Sequence, residues 1–151
     1  MTSKQALYKG IITFLQSSQN LAKKNITAYA EVVNELKSHF PIMSWVGIYE
    51  KDPDSDYLYL STYVGDLACE RIDINKGVCG KCFREKATQL VDDVTKIPYH
   101  IACSSKTRSE IVVPLFDGKG CVAVLDIDSE EHSAFDEIDR QYLEEIGEIL
   151  N

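Results

Sequence analysis

A chain of 151 residues, 44% hydrophobic and 26% charged, is one domain's worth of polypeptide and can bury a single sizeable core. Its net charge of −8 leaves no positive field to gather phosphates, which argues against a general nucleic-acid or membrane-surface role. The longest early uncharged stretch, Gly10 to Ala22, is broken by Gln16, Ser17, Ser18, Gln19 and Asn20, so no membrane span or export signal is read and a cytoplasmic location is expected.

Leu7, Ile11, Phe14 and Leu21 recur at helical spacing, as do Tyr29, Val33, Leu36 and Phe40 before Pro41 stops the run, so residues 1–40 are expected to form two amphipathic helices. Trp45–Glu50 and Tyr57–Val64 are aromatic and β-branched, and Asp52-Pro53-Asp54-Ser55-Asp56 between them reads as a turn. That pattern predicts an antiparallel strand pair, followed by a shorter strand at Arg71–Ile74. Lys76 to Arg108 is expected to be mostly loop, with one short helix around Cys82–Lys86 and one short strand at Gln89–Val91. Glu110–Phe116 and Cys121–Asp128 read as long strands joined by Asp117-Gly118-Lys119-Gly120, whose glycines are expected to supply positive φ. Ile138, Tyr142, Ile146 and Ile149 mark a last helix, capped by Ser133 or Asp136. The sum is an α+β fold, a mainly antiparallel central sheet flanked by helices on both faces.

Strand alternation places Val122, Val124, Asp126 and Asp128 on one face, with Ala123, Leu125 and Ile127 on the other. Glu110 shares the parity of Val112 and Pro114, so the hairpin can bring three acids to one end of the sheet. Two readings stand: solvated strand ends, or a partly desolvated cluster whose carboxyls raise one another's pKa and suit proton donation or ammonium binding. Trp45 and Tyr49 likewise project from one face with Gly47 between them, either as ordinary packing or as a slot for a sulfur or ammonium group.

Five cysteines are an odd number, and Cys69, Cys79, Cys82 and Cys103 fall close together while Cys121 sits in an apolar strand as a small hydrophobe. A static disulfide framework does not fit this count. Cys79-Gly80-Lys81-Cys82 lacks the βαβ context of a thioredoxin-like pair. A zinc shell of Cys79, Cys82, His100 and Cys103 is one alternative. The other is a cycle in which one thiolate becomes a sulfenic acid and a second thiol rescues it as a disulfide. Cys69, Cys79 and Cys103 all lie in loop-like surroundings, where such movement is available.

Gly77-Val78-Cys79-Gly80, His100-Ile101-Ala102-Cys103, Ser109-Glu110-Ile111-Val112-Val113-Pro114 and Leu125-Asp126-Ile127-Asp128-Ser129, in that order, resemble the motifs of the free methionine-(R)-sulfoxide reductases, small enzymes built on a GAF domain. Trp45-Val46-Gly47-Ile48-Tyr49 and Phe135-Asp136 match as well, so the resemblance runs from about Trp45 to the C-terminus. Cys69, Cys79 and Cys103, 10 and then 24 residues apart, reproduce the family's three-cysteine spacing.

The resemblance implies one GAF domain over residues 1–151, with 1–40 a helical segment and 41–151 the sheet, active-site loops and final helix. It implies Cys103 as the catalytic cysteine, Cys69 as the principal resolving cysteine and Cys79 as a third. It further implies Glu110, Asp126 and Asp128 as substrate-binding acids and Trp45 and Tyr49 as the aromatic wall. Cys82 departs from the pattern, as an alternative resolving thiol or a bystander. The implied reaction reduces free L-methionine-(R)-sulfoxide, with thioredoxin as reductant and no cofactor; a homodimer is an expectation of the resemblance alone. The rivals are a non-catalytic GAF sensor and the zinc-stabilised interaction module.

Overall fold

A capping box opens the chain. Thr2 Oγ1 accepts from the Gln5 amide at 3.1 Å, and the Gln5 side chain accepts from the Thr2 amide at 2.8 Å, starting helix α1, Ser3–Ser17. The computed structural model describes residues 1–66 and 68–151. The buried face of α1 is Tyr8, Ile11, Ile12 and Leu15, whereas Leu7 and Phe14 face solvent, which corrects the expected stripe. Both sets fit a 3.6-residue period; Tyr8 decides between them because its hydroxyl reaches a buried carboxylate on the last helix. Leu21 is buried on a short turn of 3-10 helix, Leu21–Lys23. Asn25 caps α2, Ile26–His39, which buries Ala28, Val32, Val33 and Leu36, with Phe40 just beyond its end.

Among the described residues six strands form one antiparallel sheet: β1 Trp45–Lys51, β2 Tyr57–Val64, β3 Arg71–Asp73, β4 Gln89–Val91, β5 Ser109–Asp117 and β6 Gly120–Ser129. Their order across the sheet is β3-β2-β1-β6-β5-β4, so the two long central strands β1 and β6 are paired on both sides. At the β5–β6 hairpin the Asp117 carboxylate accepts from the amides of Lys119 and Gly120 at 2.7 and 3.1 Å. Positive φ is adopted there by Gly120 and not by Gly118, so an Asp side chain does part of the work expected of the glycines. The register passes from Leu115↔Ala123 to Phe116↔Cys121. Val122 is therefore an extra residue, and it packs with the helical-side core rather than with Val124 as strict alternation predicts.

The middle of the chain is more helical than expected. Helix α3 runs Gly77–Glu85, starting five residues before the expected Cys82, so Cys79 sits in its first turn and not in a loop. Two glycines there resemble a turn in sequence, but each serves close packing. A Cβ at Gly77, whose φ is +69°, would meet Ile101 Cδ1 at 2.7 Å; one at Gly80 would meet the Ile74 carbonyl at 2.7 Å. Helix α4, Glu137–Leu150, is capped by Asp136 rather than Ser133 and buries Tyr142, Leu143, Ile146 and Leu150.

Helices α1, α2 and α4 cover one face of the sheet over Val46, Ile48, Ile111, Val113, Leu125 and Ile127. On the other face α3 packs through Val78, Cys79 and Cys82 against Tyr49, Val112 and Val124. Helices thus flank both faces, and this second face carries the site. Among the described residues no helix is long and apolar enough to cross a membrane.

Candidate active site

Register brings the acids together. Asp128 lies opposite Trp45 and Glu110, and Asp126 lies opposite Gly47 and Val112, so the side chains of Glu110, Asp126 and Asp128 share the face that α3 covers. Glu110 and Asp126 are each 5% exposed. Glu110 Oε1, Asp126 Oδ1 and Asp128 Oδ1 are buried without a hydrogen-bond partner among the described residues. Of the two sequence readings, the desolvated cluster holds and the solvated strand ends do not.

Burial first, and then the charges of Asp126 and Asp128, push the Glu110 carboxyl well above the usual carboxylate range. Burial and Asp126 do the same to Asp128; burial raises Asp126, opposed by the neighbouring Glu110 carboxyl and Cys79 thiol. The cluster therefore retains protons to a higher pH than isolated carboxylates do. His100 Nε2 stands 3.6 Å from Glu110 Oε1, and burial lowers its imidazole pKa, which favours the neutral ring.

The aromatic residues form a wall rather than the expected slot. The Trp45 indole folds over Gly47, where a Cβ would sit 2.2 Å from Cη2, and its ring centroid is 6.1 Å from that of Tyr49. The glycine makes room for the indole itself, so no gap for a ligand remains between the rings. Tyr49 is 1% exposed and its hydroxyl donates to the Cys69 carbonyl at 2.8 Å, tying the wall to the loop that carries Cys69.

Cys69 and Cys103 are joined as a disulfide with Cα atoms 5.5 Å apart. Cys79 is buried elsewhere in the same pocket: its Sγ and one oxygen from each of Glu110 and Asp126 lie within 4.8 Å of one another. Burial, followed by the charges of Asp126 and Glu110, raises the Cys79 thiol pKa. Cys82 points away, with Sγ 3.5 Å from the Val112 carbonyl. The four-ligand zinc shell of Cys79, Cys82, His100 and Cys103 is thereby overturned, because Cys103 is bonded to Cys69 and Cys82 faces a strand backbone.

A cavity of about 250 Å³ is lined by Trp45, Tyr49, Cys79, Cys103, Glu110, Asp126 and Asp128, and by His100 and Ser104–Thr107. The loop after Cys103 and the pairing of His100 with Glu110 were not read from sequence. The adjacency of Ser104-Ser105-Lys106-Thr107 to the cysteine was the available signal for the loop.

The GAF domain family profile matches residues 27–150. The chain is 38% identical over 149 residues to GAF domain-containing protein A of Dictyostelium discoideum, covering 99% of this chain and 93% of that protein. It is 40% identical over 111 residues to free methionine-R-sulfoxide reductase of Saccharomyces cerevisiae, covering 72% of this chain and 62% of that protein. The solved structure of free methionine-R-sulfoxide reductase from Neisseria meningitidis in complex with its substrate has a TM-score of 0.89 and 42% identity, covering 99% of this chain and 89% of that one.

Proposed function

The chain belongs to the GAF domain family, and on that premise we propose that it is an oxidoreductase that reduces free L-methionine-(R)-sulfoxide to L-methionine. The observation that carries this reading is one cavity that holds Cys103, bonded to Cys69, together with the acids Glu110, Asp126 and Asp128 and an aromatic wall. The names and identities of the relatives support it.

In the proposed cycle the Cys69–Cys103 disulfide is the oxidised end state, and a dithiol of the thioredoxin type returns both sulfurs to thiols by two-electron exchange. The Cys103 thiolate then attacks the sulfoxide sulfur, and a carboxyl of the acidic cluster gives a proton to the oxygen. Methionine leaves and Cys103 becomes a sulfenic acid; Cys69 attacks its sulfur, the disulfide re-forms and water departs. Cys79 is the third thiol, held among the acids. The cycle's need for a reducing dithiol supports a cytosolic location.

Glu110, Asp126 and Asp128 take the substrate's ammonium group, and its sulfur packs against the wall of Trp45 and Tyr49. The attacking sulfur must be a thiolate, and the arriving ammonium favours that form. A peptide-bound methionine sulfoxide has no such group, so its binding leaves buried carboxylates unpaired and is penalised.

The test is reductant-coupled turnover of free L-methionine-(R)-sulfoxide, its (S) epimer, a peptide containing the (R)-sulfoxide, and methionine as blank. Turnover of the first alone is expected. Activity on the peptide would refute the role given to the acids, and inactivity of fully reduced protein on all four would favour the non-catalytic sensor.

A further inference from the structure

Glu110 Oε1 and Asp126 Oδ1 are buried acceptors with no hydrogen-bond partner among the described residues, on side chains that are 95% enclosed. The thiol beside them is not consumed by the disulfide. Gly80 lets α3 settle to within 2.7 Å, as a Cβ would measure it, of the Ile74 carbonyl, and this close approach carries Cys79 down onto β5 and β6. Its Sγ and one oxygen of each carboxylate then lie within 4.8 Å of one another. His100 Nε2, 3.6 Å from Glu110 Oε1, borders the same corner. Among the described residues no lysine or arginine forms an ion pair with either carboxylate; the lysine and arginine pairs engage Asp136, Asp139 and Glu137.

We propose that Cys79, Glu110 and Asp126 form a binding site for a divalent transition-metal ion of the zinc class, with His100 beside the fourth position. The donor set decides the metal. One thiolate, two carboxylates and an imidazole are the mixed sulfur, oxygen and nitrogen ligands that zinc and cobalt accept, while magnesium and calcium demand six or more oxygens. Bonds of about 2.0–2.3 Å set tetrahedral ligand separations of roughly 3.3–3.7 Å, a spacing that side-chain rotation can reach for three donor atoms already within 4.8 Å of one another. The separation between His100 and Glu110 already matches that spacing.

This site differs from the shell of three cysteines and a histidine considered from sequence, because it needs neither Cys82 nor Cys103 and forms with the Cys69–Cys103 disulfide intact. The consequence for activity rests on the proposed function: the ion occupies the acids that would receive the substrate ammonium, so it inhibits by competing with substrate.

The probe is Co2+ titrated into the oxidised full chain, in which Cys69 and Cys103 are unable to ligate. One equivalent is expected to produce a thiolate-to-cobalt charge-transfer band and the strong visible absorption of four-coordinate cobalt, both removed by Zn2+. Cys79→Ser is expected to abolish the charge-transfer band, and Cys121→Ser, at the distant hairpin, to retain it. No band in the wild type, or a band that survives Cys79→Ser, would overturn the site. Because the wild-type spectrum is read without turnover, a protein that binds Co2+ in this way but reduces no sulfoxide supports the metal site and overturns only the catalytic reading.

Discussion

Glu110 shows how a single position trades stability for chemistry. Its side chain is buried opposite Asp128, and one carboxylate oxygen of each lacks a hydrogen-bond partner among the described residues, so the substrate-free protein bears the desolvation of groups that repel one another. Glu110→Gln keeps the shape and removes a titrating group. This variant is expected to melt at a higher temperature at pH 7, each regained kcal/mol raising the midpoint by about 2–4 °C for a chain of this size. Sulfoxide turnover is expected to fall at least about 100-fold, the cost of losing a paired charge in a desolvated site. Calorimetry and steady-state kinetics on one preparation check both; a variant that is less stable and fully active would contradict the assignment. The glycine at position 47 is the opposite case, a residue whose value lies in the absence of a side chain, because the indole of Trp45 occupies the space a Cβ would take.

At the scale of elements, α1 and α4 are clamped by one carboxylate. Asp139, 2% exposed, accepts from the Tyr8 hydroxyl at 2.6 Å, from Lys4 Nζ at 2.8 Å and from the Asp136 amide at 2.9 Å. It thus completes the capping box of α4 while holding the first helix against it. Asp139→Ala orphans a fully buried Tyr8 hydroxyl and opens the cap, costing about 1–3 kcal/mol for the hydroxyl and about 1 kcal/mol for the cap. Denaturant unfolding is expected to register that loss. Because this clamp lies on the face of the sheet opposite the cavity, the Michaelis constant for the sulfoxide measured well below the melting point is expected to stay at its wild-type value. A large change in that constant would mean that the two faces are coupled through the sheet.

For the whole molecule, the disulfide bridges segments that belong to opposite edges of the sheet. Cys69 leads into the edge strand β3 and Cys103 follows the other edge strand β4, while α3 lies on the enclosed stretch between them. The bridge spans 34 residues of sequence. Closing a loop of that size removes roughly 3–4 kcal/mol of chain freedom from the unfolded state, so reduction is expected to lower the melting temperature by about 10 °C. A Cys69→Ser variant is expected to melt at one temperature with or without reductant. Equal melting of oxidised and reduced wild type would mean that the thiol form holds the same loops by other contacts.

Local regularities carried much of this fold. Strand alternation and the hairpin placed Glu110, Asp126 and Asp128 on one face, and the hydrophobic pattern located five strands to within a residue or two, because a period of 2 is imposed by the backbone and survives any choice of partner. The sixth, Arg71–Asp73, was also visible, though one residue shorter than expected. What periodicity could not supply was the partner. Which of two equally periodic stripes of α1 turns inward was settled by Asp139, some 130 residues away. That Gly77 and Gly80 begin a helix was settled by Ile101 and by the Ile74 carbonyl packed against them, and that Gly47 seats an indole by the rotamer of Trp45. The cysteines make the same point: motif spacing grouped Cys69, Cys79 and Cys103, yet only the tertiary structure bonded the first to the third and set Cys79 among the acids. Such choices depend on groups distant in sequence that share one desolvated volume, and volume is a property the chain acquires only by folding.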